Sequence, residues 1–313
     1  MVRHLLKVTD LSPEELWWIL RLTRELKATK YLGLGMPQLL KGKNVALFFE
    51  KPSTRTRVSL SVAIRELGGY PLELESAKLQ VSRGEGLEDT VRVLSRYVDA
   101  IVARVYSHKS LEVMARCSKV PIVNALSDLF HPLQAISDMY TLWEIFGRLK
   151  GVNLAFVGDG GSNVAHSLML ASSLLGVNFS VASPEAYGPR KEVLQEALKN
   201  AALSGANIKV FTDPLEAVRG AQVVYTDVFV SMGFEMEREE RLKAFLPRYK
   251  VNKALLAETG TTTLFMHCLP AHRGEEVEAE VIDDEKISIV FDQAENRLYS
   301  AEAVLSFLMG KVG

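Results

Sequence analysis

The chain has 313 residues, of which 48% are apolar and 24% charged, with a formal net charge of −1. At roughly 100–200 residues per domain this length points to two domains, and the near-zero charge offers no global attraction to nucleic acid or an anionic membrane, so an anionic ligand must be held by local arginines and backbone amides. Two cysteines, Cys117 and Cys268, are too few for a disulfide framework; the N-terminus has neither signal nor transit composition and no apolar run reaches the ~18 residues of a membrane span, so a cytoplasmic location is expected.

In chain order, Ser12-Pro13-Glu14-Glu15 reads as a helix start, with Ser12 as cap, Pro13 at the first helical position and Glu15 closing a capping box. Leu16, Ile19, Leu20 and Leu26 continue it as a helical stripe. The pattern then alternates: strands at 44–49, 70–74, 99–103 and 121–124, with helices after Ser53, at 87–97, at 111–117 and at 133–146. The alternation restarts with strands at 152–157, 178–182, 208–211 and 221–225 and helices at 163–175 and 191–203. Short apolar strands are expected at 264–267 and 287–291, and a closing helix at 301–309. The expected fold class is therefore α/β: two doubly wound domains with mostly parallel sheets, joined by interdomain helices, with the hinge in the helix that runs from Leu133 towards Lys150.

Ligands gather at the C-terminal ends of such strands, and the chemistry-bearing residues follow strands here. Ser53-Thr54-Arg55-Thr56-Arg57 ends one strand and opens a helix. Unpaired helix amides, three hydroxyls and two guanidiniums make it a phosphate-type anion site, against the plainer alternative of an ordinary cap on a basic helix. Arg104 follows the strand at 99–103 and can reach the same cleft, and His131-Pro132-Leu133-Gln134 follows the strand at 121–124, with His131 suited to polarise a carbonyl and Gln134 to meet an amide; taken singly, they read as a surface arginine and a turn histidine.

In the second half, Gly158-Asp159-Gly160-Gly161-Ser162-Asn163 superficially matches a dinucleotide loop. Asn163 stands where the last glycine of that fingerprint belongs, so it is better read as an amide reaching a polar ligand. Asp227 can hold a cationic amine, and Ser231 with the Met232 backbone amide can meet a carboxylate; the apolar stretch from Asp227 to Gly233 suits a mobile lid. In His267-Cys268-Leu269-Pro270, Cys268 is open to three readings: covalent nucleophile, metal ligand with the histidines, or polar orienter of a substrate amine. A zinc site wants about four ligands, and covalent catalysis wants an activating base that the spacing does not supply.

Taken together these segments, from Ser53 to Arg297, resemble the aspartate/ornithine carbamoyltransferase family. S-T-R-T-R and H-P-x-Q are similar to its carbamoyl phosphate signatures. The S-M-G loop at 231–233 and H-C-L-P at 267–270 are similar to motifs of the members that act on ornithine. The resemblance implies transfer of a carbamoyl group from carbamoyl phosphate to the side-chain amine of L-ornithine, giving L-citrulline and phosphate, a step of arginine biosynthesis. The alternatives are a related amine or the catabolic direction. It further implies no cofactor and no metal, no nucleic-acid or membrane partner, and a homotrimer or assembly of trimers.

Carried over by position, Ser53, Thr54, Arg55 and Thr56 hold the phosphate, and Thr56, Arg104 and His131 the carbamoyl oxygen. Gln134 and backbone oxygens near Cys268 and Leu269 take the carbamoyl amide, Arg297 reaches the carbamoyl group, and Gln80 is lent across a trimer interface. Asn163, Asp227, Ser231 and Met232 bind ornithine. Residues 1–145 are then the carbamoyl phosphate domain and 146–292 the ornithine domain, with a C-terminal helix at 293–313 packing back on the first. One departure is Phe229, where family members commonly carry tryptophan.

Overall fold

Runs of buried β-branched and aromatic residues form the strands, and each is followed by a helix. The computed structural model describes residues 2–80, 84–231 and 233–310. The capping box predicted at Ser12 opens α1 (Pro13–Tyr31): Ser12 Oγ accepts from the Glu15 amide at 3.3 Å and Glu15 Oε2 from the Ser12 amide at 2.8 Å. There follow β1 (Asn44–Phe49), α2 (Thr54–Glu66), β2 (Tyr70–Glu75), α3 (Leu87–Leu94), β3 (Ala100–Arg104), α4 (His108–Cys117), β4 (Ile122–Leu126) and α5 (Pro132–Phe146). The second series is β5 (Asn153–Val157), α6 (Asn163–Leu175), β6 (Asn178–Ala182), α7 (Lys191–Ser204), β7 (Ile208–Phe211), α8 (Pro214–Val218), β8 (Val223–Thr226), α9 (Arg238–Phe245), α10 (Lys253–Ala257), β9 (Leu264–His267), α11 (Ala279–Ile282) and α12 (Val290–Met309).

Two all-parallel sheets result. The first has the order β2-β1-β3-β4, the second β7-β6-β5-β8-β9. In each the order reverses beside its first strand, between β1 and β3 and between β5 and β8, and such switch points are where α/β sheets open a crevice for ligands. The central strand β1 is buried from Val45 to Phe49, as a parallel strand covered on both faces must be. Each such Leu or Phe contributes about 1.5–3 kcal/mol by leaving water. The edge strand β2 has only exposed and half-buried residues instead.

The chain divides into two compact units, one formed by residues up to Tyr140 with those from Asn296 onward, the other by Thr141–Glu295. Both divisions fall inside helices, α5 and α12. In the first unit the end of α12 packs on α1, with the Phe307 ring 5.4 Å from Trp18 and 5.0 Å from the Arg3 guanidinium. Among the described residues, no helix is long and apolar enough to cross a membrane.

Two expectations for the end of the chain need correcting. The strand at 287–291 is a single bridge, Phe265 to Ser288. The Ile289 amide still donates to Phe265, but the Ile289 carbonyl already accepts from the Gln293 amide at 2.9 Å, so the helical ladder captures the chain after one paired residue. The closing helix accordingly starts at Val290, not 301. The short helices α8 to α11 were not anticipated.

Candidate active site

The first cluster grows from the ends of β1, β3 and β4 and from the part of α12 that follows Glu295, all in the first unit. Ser53 caps α2, its Oγ accepting from the Thr56 amide at 3.3 Å. Thr54 and Arg55 are exposed at that helix start, whereas Thr56 is buried. Arg55 has no ionic partner among the described residues. Arg57, counted with it as an anion ligand from sequence, is instead held by β2: its Nη1 lies 3.0 Å from Glu75 and 3.4 Å from Glu73, and its guanidinium 5.1 Å from the Phe49 ring. The motif therefore offers one uncommitted guanidinium, not two. Lys51, just after β1, is buried with its ammonium 4.5 Å from the Tyr106 ring.

Arg104 ends β3 in register with Phe49, at an irregularity in the pairing with β4, and is buried. His131 sits before Pro132, its carbonyl accepting the Gln134 amide at 3.1 Å as α5 begins. Arg297 arrives from α12. Its Nη1 donates to Gln134 Oε1 at 2.6 Å and its Nη2 to Thr56 Oγ1 at 3.4 Å. Gln134 Nε2 in turn donates to Asp138 at 2.8 Å, which fixes the amide with its oxygen towards the arginine. Burial, and then the charges of Arg297 and Arg104, hold the His131 imidazole well below its usual pKa. Thr56, Arg104, His131, Gln134 and Arg297 thus form one buried, donor-rich group around an uncharged ring. Gln80 is exposed, its carbonyl accepting the Glu85 amide at 3.2 Å, and no hydrogen bond joins it to that group.

The second cluster grows from the ends of β5, β8 and β9 in the second unit. Asp227 is buried; its Oδ1 accepts from Cys268 Sγ at 3.1 Å and from the Val228 amide at 2.8 Å. Burial pushes this carboxyl up, opposed by His267, by the thiol and by the amide. A buried acid of that kind is completed by a cation. Leu269 adopts φ 58°, in the left-handed region, a strain of about 1–3 kcal/mol for a branched side chain. Its amide donates to His267 Nδ1 at 2.8 Å. His267 Nε2 faces Glu276 Oε1 at 3.2 Å, and the same oxygen accepts the His272 amide at 2.5 Å. Burial raises Glu276, but these bonds outweigh it and the net shift is downward. Asp227, His267 and Cys268 place ligand atoms within 4.8 Å of one another, as do His272, Glu275 and Glu276. With its Nδ1 lone pair taken by the Leu269 amide and Nε2 turned towards Glu276, His267 directs no lone pair at a metal between Asp227 and Cys268.

Asn163 is the first residue of α6, half-buried behind the cap made by Ser162, whose Oγ accepts the Ala165 amide at 3.2 Å. Ser231 is half-buried, and Met232 lies outside the described residues. Phe229 was expected in the lid, but it belongs to the core: it is 1% exposed and stacks on Phe245 with centroids 4.7 Å apart.

Sequence reasoning missed the brace beneath this loop. Arg241 of α9 donates through Nη1 to Asp159 at 2.8 Å and to the Phe229 carbonyl at 3.3 Å, and through Nε to Glu237 at 2.9 Å. Burial raises Asp159, and the Arg241 bond opposes it. Glu276 was missed as well. Neither residue carries a local signal, because its partner is remote in sequence or lies within an unremarkable polar stretch.

Two sequence families match the chain: "Aspartate/ornithine carbamoyltransferase, carbamoyl-P binding domain" over residues 3–144 and "Aspartate/ornithine carbamoyltransferase, Asp/Orn binding domain" over residues 150–308. The chain is 52% identical to the ornithine carbamoyltransferase of Hyperthermus butylicus, over 98% of this chain and 97% of that protein. It is 51% identical to the "Ornithine carbamoyltransferase, anabolic" of Pyrococcus furiosus, over 99% of this chain and 97% of that one. The solved structure of a Pyrococcus furiosus ornithine carbamoyltransferase superposes with a TM-score of 0.94 at 51% identity, covering 99% of this chain and 98% of that chain. The matches cover both units at this identity, and the chain therefore belongs to the aspartate/ornithine carbamoyltransferase family, among its ornithine carbamoyltransferases.

Proposed function

We propose that this chain transfers the carbamoyl group of carbamoyl phosphate to the side-chain amine of L-ornithine, releasing L-citrulline and phosphate. The observation that carries the reading is the buried group in which Arg297 links Gln134 and Thr56 beside Arg104 and an uncharged His131. Such a group suits a carbonyl that gains negative charge.

Carbamoyl phosphate is the ligand of the first unit. The opening amides and dipole of α2, with Ser53, Thr54, Arg55 and Thr56, receive the phosphate. Attack on the carbonyl passes through a tetrahedral species with charge on oxygen, and Thr56, Arg104 and His131 are the donors set around that oxygen. Donors aimed in advance at such a charge contribute about 10²–10³ in rate each. His131 serves best uncharged, because it then donates a hydrogen bond without competing with two arginines for the dianion. Arg297 steadies the carbamoyl group. Gln134 Oε1 has a second lone pair for the carbamoyl NH₂ beyond the one given to Arg297.

Ornithine is the ligand of the second unit. Asn163, Ser231 and the Met232 amide take its α-amino and α-carboxylate groups, and Asp227 takes the amine that will attack. That amine must be neutral to react, and its ordinary pKa of about 10.4 leaves roughly one molecule in a thousand reactive at neutral pH. Asp227, with the Cys268 thiol bonded to it, is placed to accept from the amine and aim its lone pair. The leaving phosphate is a suitable proton acceptor. Cys268 acts as orienter in this scheme, its thiol donating to the Asp227 carboxylate that receives the amine.

The citrulline-forming direction follows the anabolic Pyrococcus furiosus relative. A trimeric assembly, Gln80 as a residue lent to a neighbouring subunit, and a cytoplasmic location belong to the same proposal. The test is citrulline formation from ornithine and carbamoyl phosphate with phosphate measured in parallel. Equimolar products are expected; phosphate release without citrulline would overturn the reading.

A further inference from the structure

Glu302 lies in α12 about one and a half turns beyond Arg297. Its side chain is fully buried, and neither of its oxygens receives a hydrogen bond among the described residues. Glu66, the last residue of α2, faces it. Glu66 Oε1 accepts from Lys30 Nζ of α1 at 2.6 Å, Oε2 is buried without a donor, and the two carboxyls lie within hydrogen-bonding reach of each other. Lys30 and Glu66 are the charged groups that act on Glu302. The nearby Lys27 is engaged by Asn296 Oδ1 at 2.8 Å, and Lys27 and Lys30 lie 6.0 and 5.9 Å from the Tyr299 ring.

One ammonium cannot balance a fully buried carboxylate and a half-buried one beside it, and a buried carboxylate with no donor is far more costly than a protonated one. A single proton placed between the two supplies the missing donor and leaves one net negative charge against Lys30. Burial and the neighbouring Glu66 push the Glu302 carboxyl up to about 8. The same two helices are tied a second time, where Arg297 of α12 donates to Thr56 of α2.

We propose that Glu302 and Glu66 share one proton in the folded chain at neutral pH, and that this proton latches α12, which carries Arg297, onto α2, which carries Thr56. Raising the pH releases the proton to solvent and leaves two carboxylates facing each other under Lys30. The unfolded chain has already lost that proton above the ordinary carboxylate value of 4.5, whereas the folded chain holds it to about 8. The latch therefore contributes fully below the ordinary carboxylate range, weakens as pH rises towards about 8, and changes no further beyond it.

Glu302→Gln replaces the shared proton by a permanent N–H donor. Denaturant unfolding of wild type and Glu302→Gln is compared from about pH 5 to 9, with Glu66→Gln as the second variant. The variants and wild type should unfold together near pH 5. The variants' midpoints should pull ahead as pH rises and the gap should level off above about 8, equivalent to a few degrees in Tm. The infrared C=O band of a protonated carboxylic acid should be present in wild type at neutral pH, absent from Glu302→Gln and shifted in Glu66→Gln, where the hydrogen-bond partner of Glu302 has changed. Parallel unfolding profiles across the whole range, or an acid band unchanged by either substitution, would overturn the latch. The activity arm rests on the carbamoyl-transfer reading: turnover of wild type relative to Glu302→Gln should fall two- to threefold above about pH 8. The unfolding and infrared arms need no substrate, so the latch and the assigned reaction fail separately.

Discussion

The two strand-end clusters sit at equivalent places in two parallel sheets and solve opposite problems. In the first unit the donors are committed before any substrate arrives: Arg297 is tied to Gln134 and Thr56, and His131 is held uncharged between guanidiniums. In the second, the centre is an acid raised by burial, and the loop beyond it is exposed from Gly233 to Glu240. A charge that develops during reaction is best met by groups that need not move. A substrate that arrives with its own charge can complete a site that is unbalanced without it. On the proposed function, the contrast gives rate to the first cluster and recognition to the second.

The harshest way to break that contrast is Arg297→Ala. It removes the charge that binds Thr56 and Gln134 and should lower kcat by about 10²–10³ while ornithine-analogue binding is kept; steady-state kinetics with calorimetry of the analogue would show a parallel loss if the contrast were wrong. Next is pH. Because the amine must lose its proton, kcat/KM for ornithine should climb about tenfold per unit from roughly pH 6 to 8. His131 already lacks its extra proton across that range and adds no inflection; a flat profile would remove the neutral-amine step. Arg55→Ala should raise KM for carbamoyl phosphate about 10–100-fold, the worth of a charge-assisted contact, with the analogue unaffected. Cys268→Ser keeps a donor for Asp227 and should slow turnover about tenfold or less. Abolished activity with a trapped covalent adduct would restore the nucleophile. Smallest is Arg57→Ala. Its partners are Glu73 and Glu75 at a half-exposed surface, so KM for carbamoyl phosphate should shift less than about threefold; a change as large as that of Arg55 would return Arg57 to the phosphate.

Much of this was legible in the sequence because it depends on short-range signals. Val45–Phe49 announces a buried strand by its unbroken apolar run, and Ser12 with Glu15 announces a helix start through the bonds the two residues then make. What escaped depends on distant partners. Arg57 looks like Arg55 until β2 brings two acids against it, and Arg241 is one more charge in a polar helix until Asp159 meets it. The stretch 287–291 has the apolar content of a strand, and only the start of the helical ladder at Ile289 decides otherwise. Phe229 misled by position: an aromatic inside a supposed lid gives no sign that its ring is stacked on Phe245.

That stack has a practical consequence for remodelling the protein. Residues after Phe229 and before the Glu237–Arg241 brace form a cassette whose two ends are bolted to the core, so its sequence can be exchanged without disturbing the strands beneath. Grafts intended to change which amine is accepted should be spliced inside those two bolts. A splice one residue earlier would remove the ring that seals the interior.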